Sequence, residues 1–272
     1  MNAAQLFDVD NLVCIVTGGA SGIGLACGEA MAQGGARVVL ADIDEARLEE
    51  AVTRLRARGL SVIGEVLDVS SRSSVATVFE AVSAREGRID VVFANAGVDV
   101  GEGFIARDGS RSVEGALENI TSEHWRKYLG INLNGALHTL QEAARHMKPQ
   151  GSGKIIVTTS IASSCNVSGV GTSYFAAKAA ASHLMRQAAL ELARYNIQVN
   201  AMAPGAFATN IADGHVRDPE MRRLLESSNP QHRIADPEEI GGLALLLASG
   251  ASSFITGSEI VIDGGALLGL AD

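Results

Sequence analysis

The sequence is short of cysteine, of basic charge and of long apolar runs. Its three cysteines, Cys14, Cys27 and Cys165, show neither a CxxC pair nor metal-ligand spacing, which argues against a disulfide framework and a thiolate metal centre. Cys14 and Cys27 fall on an apolar strand and helix and read as core filler, while Cys165 falls close to the candidate site. The six histidines, among them His138, His146 and His215, form no metal-like cluster, so no metal is expected. With 22 basic against 31 acidic residues, the net charge of -9 argues against nucleic acid and anionic membrane surfaces as partners. No apolar run approaches the length of a membrane span. The opening MNAAQLFDVD lacks a basic segment followed by an apolar one, and a cytoplasmic protein is expected.

What is present is apolar content and glycine. The 272 residues, 47% hydrophobic, suffice for one sizeable core, and a single domain over 1–272 is expected. The stretch LVCIVTGGASGIG, residues 12–24, organises the rest. Leu12, Val13, Cys14, Ile15 and Val16 read as a strand buried on both faces. Gly18, Gly19, Gly22 and Gly24 follow, and then an Ala-rich helix through Glu29 and Met31. Glycine allows positive φ and close approach to a ligand, and the free N–H groups of a helix start favour a pyrophosphate. A dinucleotide fits this order, although glycines also serve tight turns with no ligand. A second apolar run, 38–40, ends at Asp42, eighteen residues after Gly24, where a carboxylate can accept hydrogen bonds from an adenosine ribose. A 2'-phosphate there would be repelled. No Arg or Lys lies between Gly18 and Gly35 or directly after Asp42, so NAD rather than NADP is expected. The plain alternative for Asp42 is a solvated acid at a strand end.

Further along, a charged helix is expected over 44–58 and a third strand over 61–69. Asp68 at its end either holds the adenine edge or caps the helix that starts near Ser71. A fourth strand over 88–93 runs into Asn95-Ala96-Gly97, where small residues let the chain pass close to a flat ring and Asn95 can tie strand ends together. Residues 98–120 lose all periodicity. Glu102, Phe104, Arg107 and Arg111 there either sense substrate or belong to a surface excursion. Thr121 and Glu123 open a helix that continues past Asn132 to about Met147, and Asn132, polar in an apolar stretch, needs a partner. A fifth strand over 154–159 ends at Ser160, a long helix covers 172–195, and a sixth strand over 197–203 closes at Pro204-Gly205. Residues 206–235 are irregular, with a helical piece over 219–226, and read as a lid. Arg217, Arg222 and Arg223 in it attract an acidic substrate or form a solvated helix face. The apolar faces around 133–140 and 184–192 either form a subunit interface or pack on the sheet. A helix over 237–248 and a seventh strand over 259–262, before Asp263-Gly264-Gly265, complete the chain. This alternation predicts an α/β fold: a Rossmann-like, doubly wound sheet of about seven parallel strands, with ligand at their C-terminal ends.

Tyr174 and Lys178, four apart on the long helix, emerge on one face. A phenol with a solution pKa of ~10 is a poor base, but a fixed ammonium beside it favours the phenolate. Ser160 ends a strand, where its hydroxyl can donate to a carbonyl or alkoxide oxygen as Tyr174 moves the proton.

Taken together, these residues resemble the short-chain dehydrogenase/reductase family over nearly the whole chain. The matching elements are residues 17–24 (TGGASGIG), Asp68, Asn95-Ala96-Gly97, Asn132, Ser160, Tyr174 with Lys178, Asn200 before Pro204-Gly205, and Asp263-Gly264-Gly265. The resemblance implies a single Rossmann-like domain, a homotetramer or dimer, moving a hydride between a nicotinamide and an alcohol or carbonyl. It assigns Tyr174 as general acid/base and Ser160 as the group that orients and polarises the substrate oxygen. Lys178 is implied to hold the nicotinamide ribose and tune Tyr174, and Asn132 to support a water linking Lys178 to solvent. Gly18, Ser21, Gly22, Ile23, Gly24, Asp42, Asp68, Val69, Asn95, Ala96 and Gly97 are the implied cofactor contacts, with Pro204, Gly205 and Thr209, the last at the carboxamide. Two departures stand out. The segment from Ser160 to Tyr174 is one residue longer than the family pattern, which leaves Ser163 and Ser164 as rivals to Ser160, and the segment from Asn95 to Asn132 is also long. The expected function is an NAD-dependent oxidoreductase of a small or medium secondary alcohol or its ketone. The alternatives are an NADP-dependent carbonyl (3-oxoacyl-type) reductase and a catalytically silent nucleotide-binding regulator. An epimerase or dehydratase is disfavoured by the glycine spacing and the short chain after the sixth strand.

Overall fold

The computed structural model describes residues 2–98, 101–106, 108–209 and 219–270. Seven strands, β1 (Val13–Thr17), β2 (Arg37–Asp42), β3 (Val62–Val66), β4 (Val91–Ala94), β5 (Gly153–Thr158), β6 (Ile197–Pro204) and β7 (Glu259–Ile262), form one parallel sheet in the order β3-β2-β1-β4-β5-β6-β7. The order reverses between β1 and β4, which opens a crevice at their C-terminal ends. This is the expected Rossmann-like architecture.

Nine α-helices are described: α1 (Ala3–Leu6), α2 (Gly22–Gln33), α3 (Glu45–Ala57), α4 (Arg72–Glu86), α5 (Ser122–Leu129), α6 (Ala136–Gln150), α7 (Thr172–Leu192), α8 (Pro219–Ser227) and α9 (Gly241–Ala248). Side chains of β1 alternate between two buried layers. Cys14 and Val16 join Met31, Leu48, Leu55 and Leu247 on the α2, α3 and α9 face, whereas Val13 and Ile15 join Phe79, Met147 and Met185 on the α4, α6 and α7 face. Such double burial explains why this strand reads as an unbroken apolar run. Leu140 and Leu192 also pack into the second layer, so the apolar faces of α6 and α7 serve the sheet, while Leu190 projects outward.

Several boundaries differ from the periodicity reading. The third strand stops at Val66, because the chain then turns at Asp68, whose carboxylate accepts the N–H and hydroxyl of Ser70. Ser71, not Asp68, caps α4 by accepting the N–H of Ser74. The fourth strand begins only at Val91. Arg88 and Asp90 are instead engaged at the opposite end of the sheet, where the Asp90 carboxylate accepts the Val13 N–H and pairs with Arg88. The helix opened by Thr121 is interrupted by a π-helical turn, Gly130–Gly135, and then runs on to Gln150. Pro149 falls in the last turn, where it removes one intrahelical donor, and Gly151 stops the helix at φ 67°. The expected helix over 237–248 is a 3-10 turn, Pro237–Ile240, followed by α9.

Candidate active site

The turn after β1 is built at the closest approach glycine permits. Gly18 sits at φ 65° and Gly22 at φ 54°, and a Cβ on Gly18 would lie 2.8 Å from the Ala96 Cα. A Cβ on Gly24 would overlap the Gly18 carbonyl. Ser21 is the N-cap of α2 but makes no side-chain capping bond, so the first N–H groups of the helix are left without a side-chain acceptor from their cap. The Ile23 side chain packs against the core beneath. Asp42, at the end of the neighbouring strand, accepts the Ala20 N–H at 3.0 Å and the Asp44 N–H at 3.1 Å, which fixes its carboxylate beside the glycine turn.

Asn95 ties three strand ends together. Its amide donates to the carbonyls of Thr17 (3.1 Å) and Gly18 (3.3 Å) and its oxygen accepts the Thr158 hydroxyl at 3.0 Å. The Thr17 hydroxyl, a residue to which the sequence assigned no role of its own, receives the N–H groups of Asn95 and Ala96 and donates to the Phe93 carbonyl. Hydrogen-bonding capacity alone could have singled it out, since a buried Thr ending a strand needs partners. Val69 is buried, with its carbonyl 2.9 Å from His138 Nδ1.

Asn132 lies in the π-helical turn, a form concentrated at functional sites. Its oxygen accepts the Val98 N–H at 3.3 Å, and its Nδ2 is buried without a hydrogen-bond partner among the described residues. A Cβ on Gly97 would lie 2.9 Å from the Asn132 oxygen and 3.6 Å from Lys178 Nζ, so this glycine keeps both groups accessible to one space. Lys178 is 5% exposed and donates to the Thr158 carbonyl at 3.0 Å, with Nζ 5.7 Å from the centre of the Tyr174 ring. Burial pushes its pKa down to about 8.

The three rival serines are not equivalent. Ser160 opens a 3-10 turn, Ile161–Ser163, and its hydroxyl oxygen accepts the Ala162 N–H at 3.1 Å, which leaves the O–H proton for another acceptor. The Ser163 hydroxyl has its one proton shared between the Ser160 carbonyl (2.8 Å) and the Glu259 carboxylate (3.1 Å). Ser164 is exposed. After β6, a Cβ on Gly205 would lie 2.7 Å from the Asp263 Cβ, and Thr209 stands over the glycine turn, 3.2 Å from where a Cβ on Gly22 would be.

The two segments that are longer than the family pattern meet each other. Glu102 pairs with Val170, Ile105 N–H donates to the Ser168 carbonyl, and Gly171 N–H to that of Gly101, so the first segment lies along the approach to α7. The first segment itself forms most of an open cavity of about 460 Å³, lined by Phe104, Arg111, Leu117 and Asn119 and closed on one side by Thr172, with the Arg111 guanidinium over the Phe104 ring. Arg107 and Arg217 lie outside the described residues, as does 210–218 of the expected lid. Arg222 pairs with Glu226 one turn on, as on a solvated helix face.

A glycine cradle, an uncapped helix start, a fixed acid at the next strand end and an orphaned buried amide at the far side together suit a dinucleotide. Likeness to known proteins defines the class. A family model described as enoyl-(acyl carrier protein) reductase matches residues 18–266, and the chain belongs to the short-chain dehydrogenase/reductase family. It is similar to a sorbose reductase of Schizosaccharomyces pombe, 35% identical over 96% of this chain and 98% of that protein. A gluconate 5-dehydrogenase of Gluconobacter oxydans is 32% identical over 99% and 100%. The solved gluconate 5-dehydrogenase of Burkholderia cenocepacia, in complex with NADP and tartrate, superposes with a TM-score of 0.85 at 30% identity, over 98% of this chain and 99% of that one. The protein is accordingly an oxidoreductase of alcohol and carbonyl groups that uses a nicotinamide cofactor.

Proposed function

We propose that the protein is an NAD-preferring dehydrogenase/reductase of small, polyhydroxylated secondary alcohols and their ketones, with Tyr174 moving the proton. The observation that carries this reading is the buried Lys178 ammonium, held by the Thr158 carbonyl beside the Tyr174 ring, at the end of the sheet where the glycine turn lies. In the oxidative direction Tyr174, as phenolate, takes the hydroxyl proton of the substrate. Ser160 donates its free O–H to the same oxygen and polarises it. Lys178 favours the phenolate electrostatically, and Asn132 offers its unsatisfied amide to the solvent path behind Lys178. When bound, the nicotinamide accepts or supplies the hydride. Gly18, Ser21, Gly22, Ile23, Gly24, Asp68, Val69, Asn95, Ala96, Gly97, Pro204, Gly205 and Thr209 would line its site, with Asp42 against the ribose.

The preference for NAD rests on Asp42, whose fixed carboxylate disfavours a 2'-phosphate. The second reading, an NADP-dependent reductase, is favoured by the NADP held by the solved relative. The polyhydroxylated substrate follows the names of the similar sorbose and gluconate enzymes. We further assign a single catalytic domain, a lid over 206–235, a cytoplasmic setting and a homo-oligomeric state.

Initial rates with NAD and NADP across sugars, polyols and hydroxy acids test the reading, together with Tyr174→Phe. The expected result is turnover favouring NAD, and a loss of roughly 100- to 10,000-fold in kcat in the variant with cofactor still bound. Undiminished turnover by Tyr174→Phe would refute the mechanism.

A further inference from the structure

Glu259 is a carboxylate with no place in the scheme above, yet it is the point at which the serine turn and the helix of Tyr174 meet. It sits on β7, the edge strand, in register with Ala201 of β6, and only 12% of its side chain is exposed. A carboxylate so withdrawn from water needs donors. It has three. Ser163, in the turn opened by Ser160, reaches Oε1 at 3.1 Å; Ser182 of α7 donates to Oε2 at 2.9 Å; and Arg186 lies 3.9 Å from Oε2.

The spacing on α7 matters. Tyr174, Lys178, Ser182 and Arg186 recur every four residues, so they form one stripe along the helix. Glu259 therefore grips the same stripe that carries the acid/base pair. Its other oxygen meets the hydroxyl that also touches the Ser160 carbonyl at 2.8 Å, and the backbone N–H of Ser163 donates to that carbonyl at 2.9 Å. Without the carboxylate, the turn would keep its backbone bond and its packing against α7 but lose the side-chain link that joins Ser163 to Ser182.

We propose that Glu259 is a positioning residue: through Ser163 and Ser182 it sets the Ser160 turn against α7, and so the reach of the Ser160 hydroxyl relative to Tyr174. This rests on the roles proposed for Ser160 and Tyr174. Because a displacement of about 1 Å in a reacting array can cost on the order of 100-fold, a tether of this kind acts on the chemical step more than on binding.

The test compares E259A, E259Q, S163A and S182A for kcat, for KM toward the cofactor, and for the primary isotope effect with substrate deuterated at the carbinol carbon. Expected are a fall of about 10-fold or more in kcat for E259A and S163A, a cofactor KM changed by less than about 2-fold, and a larger isotope effect as hydride transfer becomes limiting. E259Q, which keeps one acceptor oxygen, should recover part of the rate, and the E259A/S163A double variant should be no slower than the slower single one. If E259A fails to fold, S163A, which removes one hydroxyl, carries the test. An unchanged kcat and isotope effect in E259A or S163A would overturn the proposal, as would losses that track melting temperature and cofactor affinity alone. A Tyr174→Phe protein that still turns over would instead overturn the reading on which it rests.

Discussion

Lys178 keeps an ammonium where burial disfavours one, with a pKa of about 8 against ~10.4 in an unfolded chain. The folded protein thus binds fewer protons than the unfolded chain between these values. The cost of holding this charge is complete below about pH 8 and fades as pH rises toward ~10.4. Comparing unfolding of the cofactor-free wild type and Lys178→Met by denaturant should therefore show the stability of the variant, relative to wild type, declining by up to ~3 kcal/mol between pH 7 and pH 10. A pH-independent difference would place Lys178 in a more polar setting than its burial implies. Asp42 invites a separate measurement. Asp42→Ala should raise the ratio of kcat/KM for NADP over NAD by about 10-fold, since ~1.4 kcal/mol of repulsion is removed. Both residues were legible in the sequence, Asp42 by its spacing from Gly24 and Lys178 by its spacing from Tyr174. Thr17 offered only its hydrogen-bonding capacity at a strand end, and Glu259 offered nothing, because what marks it is the partner it meets across 77 residues of chain.

At the scale of elements, the two long segments act as one wall. Gly103 lies against Ser168, Gly169 and Val170, and a Cβ on Gly115 would overlap the Gly103 carbonyl. Gly115→Ala should therefore shift the 101–106 strip off the approach to α7, raising substrate KM several-fold while leaving cofactor affinity close to wild type; equilibrium binding and steady-state kinetics separate the two. Each long segment was visible as a departure in length, but their mutual contact was not. The π-helical turn at Gly130–Gly135 was also invisible, since GINLNG offers no feature that distinguishes it from an ordinary helix. Its consequence is local and chemical: the extra residue per turn leaves Asn132 buried with an amide to spare.

For the whole molecule, sheet order decides which strand ends share a crevice. Placing β1 beside β4, and β4 beside β5, brings the glycine turn, Asn95 and the Thr158–Ser160 corner together. The outer surface retains exposed apolar side chains, Leu190, Phe254 and Leu268 among them, and the homo-oligomer proposed above is tested directly by mass. Light scattering should give two or four times the 28.2 kDa chain mass, and a particle of one chain mass would remove that assignment.

Local chemistry is what the sequence by itself determined: strand-turn-helix order from periodicity and glycine, the glycine turn, the acid at the next strand end, and the Tyr174–Lys178 spacing, all set by neighbours within about twenty residues. Tertiary structure alone decided which of three serines has a free hydroxyl, where β3 and β4 begin and end, and what holds Ser160 in place. The reason is physical. Those outcomes depend on hydrogen-bond partners that only the packed sheet supplies, and a buried donor or acceptor settles where it is satisfied rather than where local periodicity would put it.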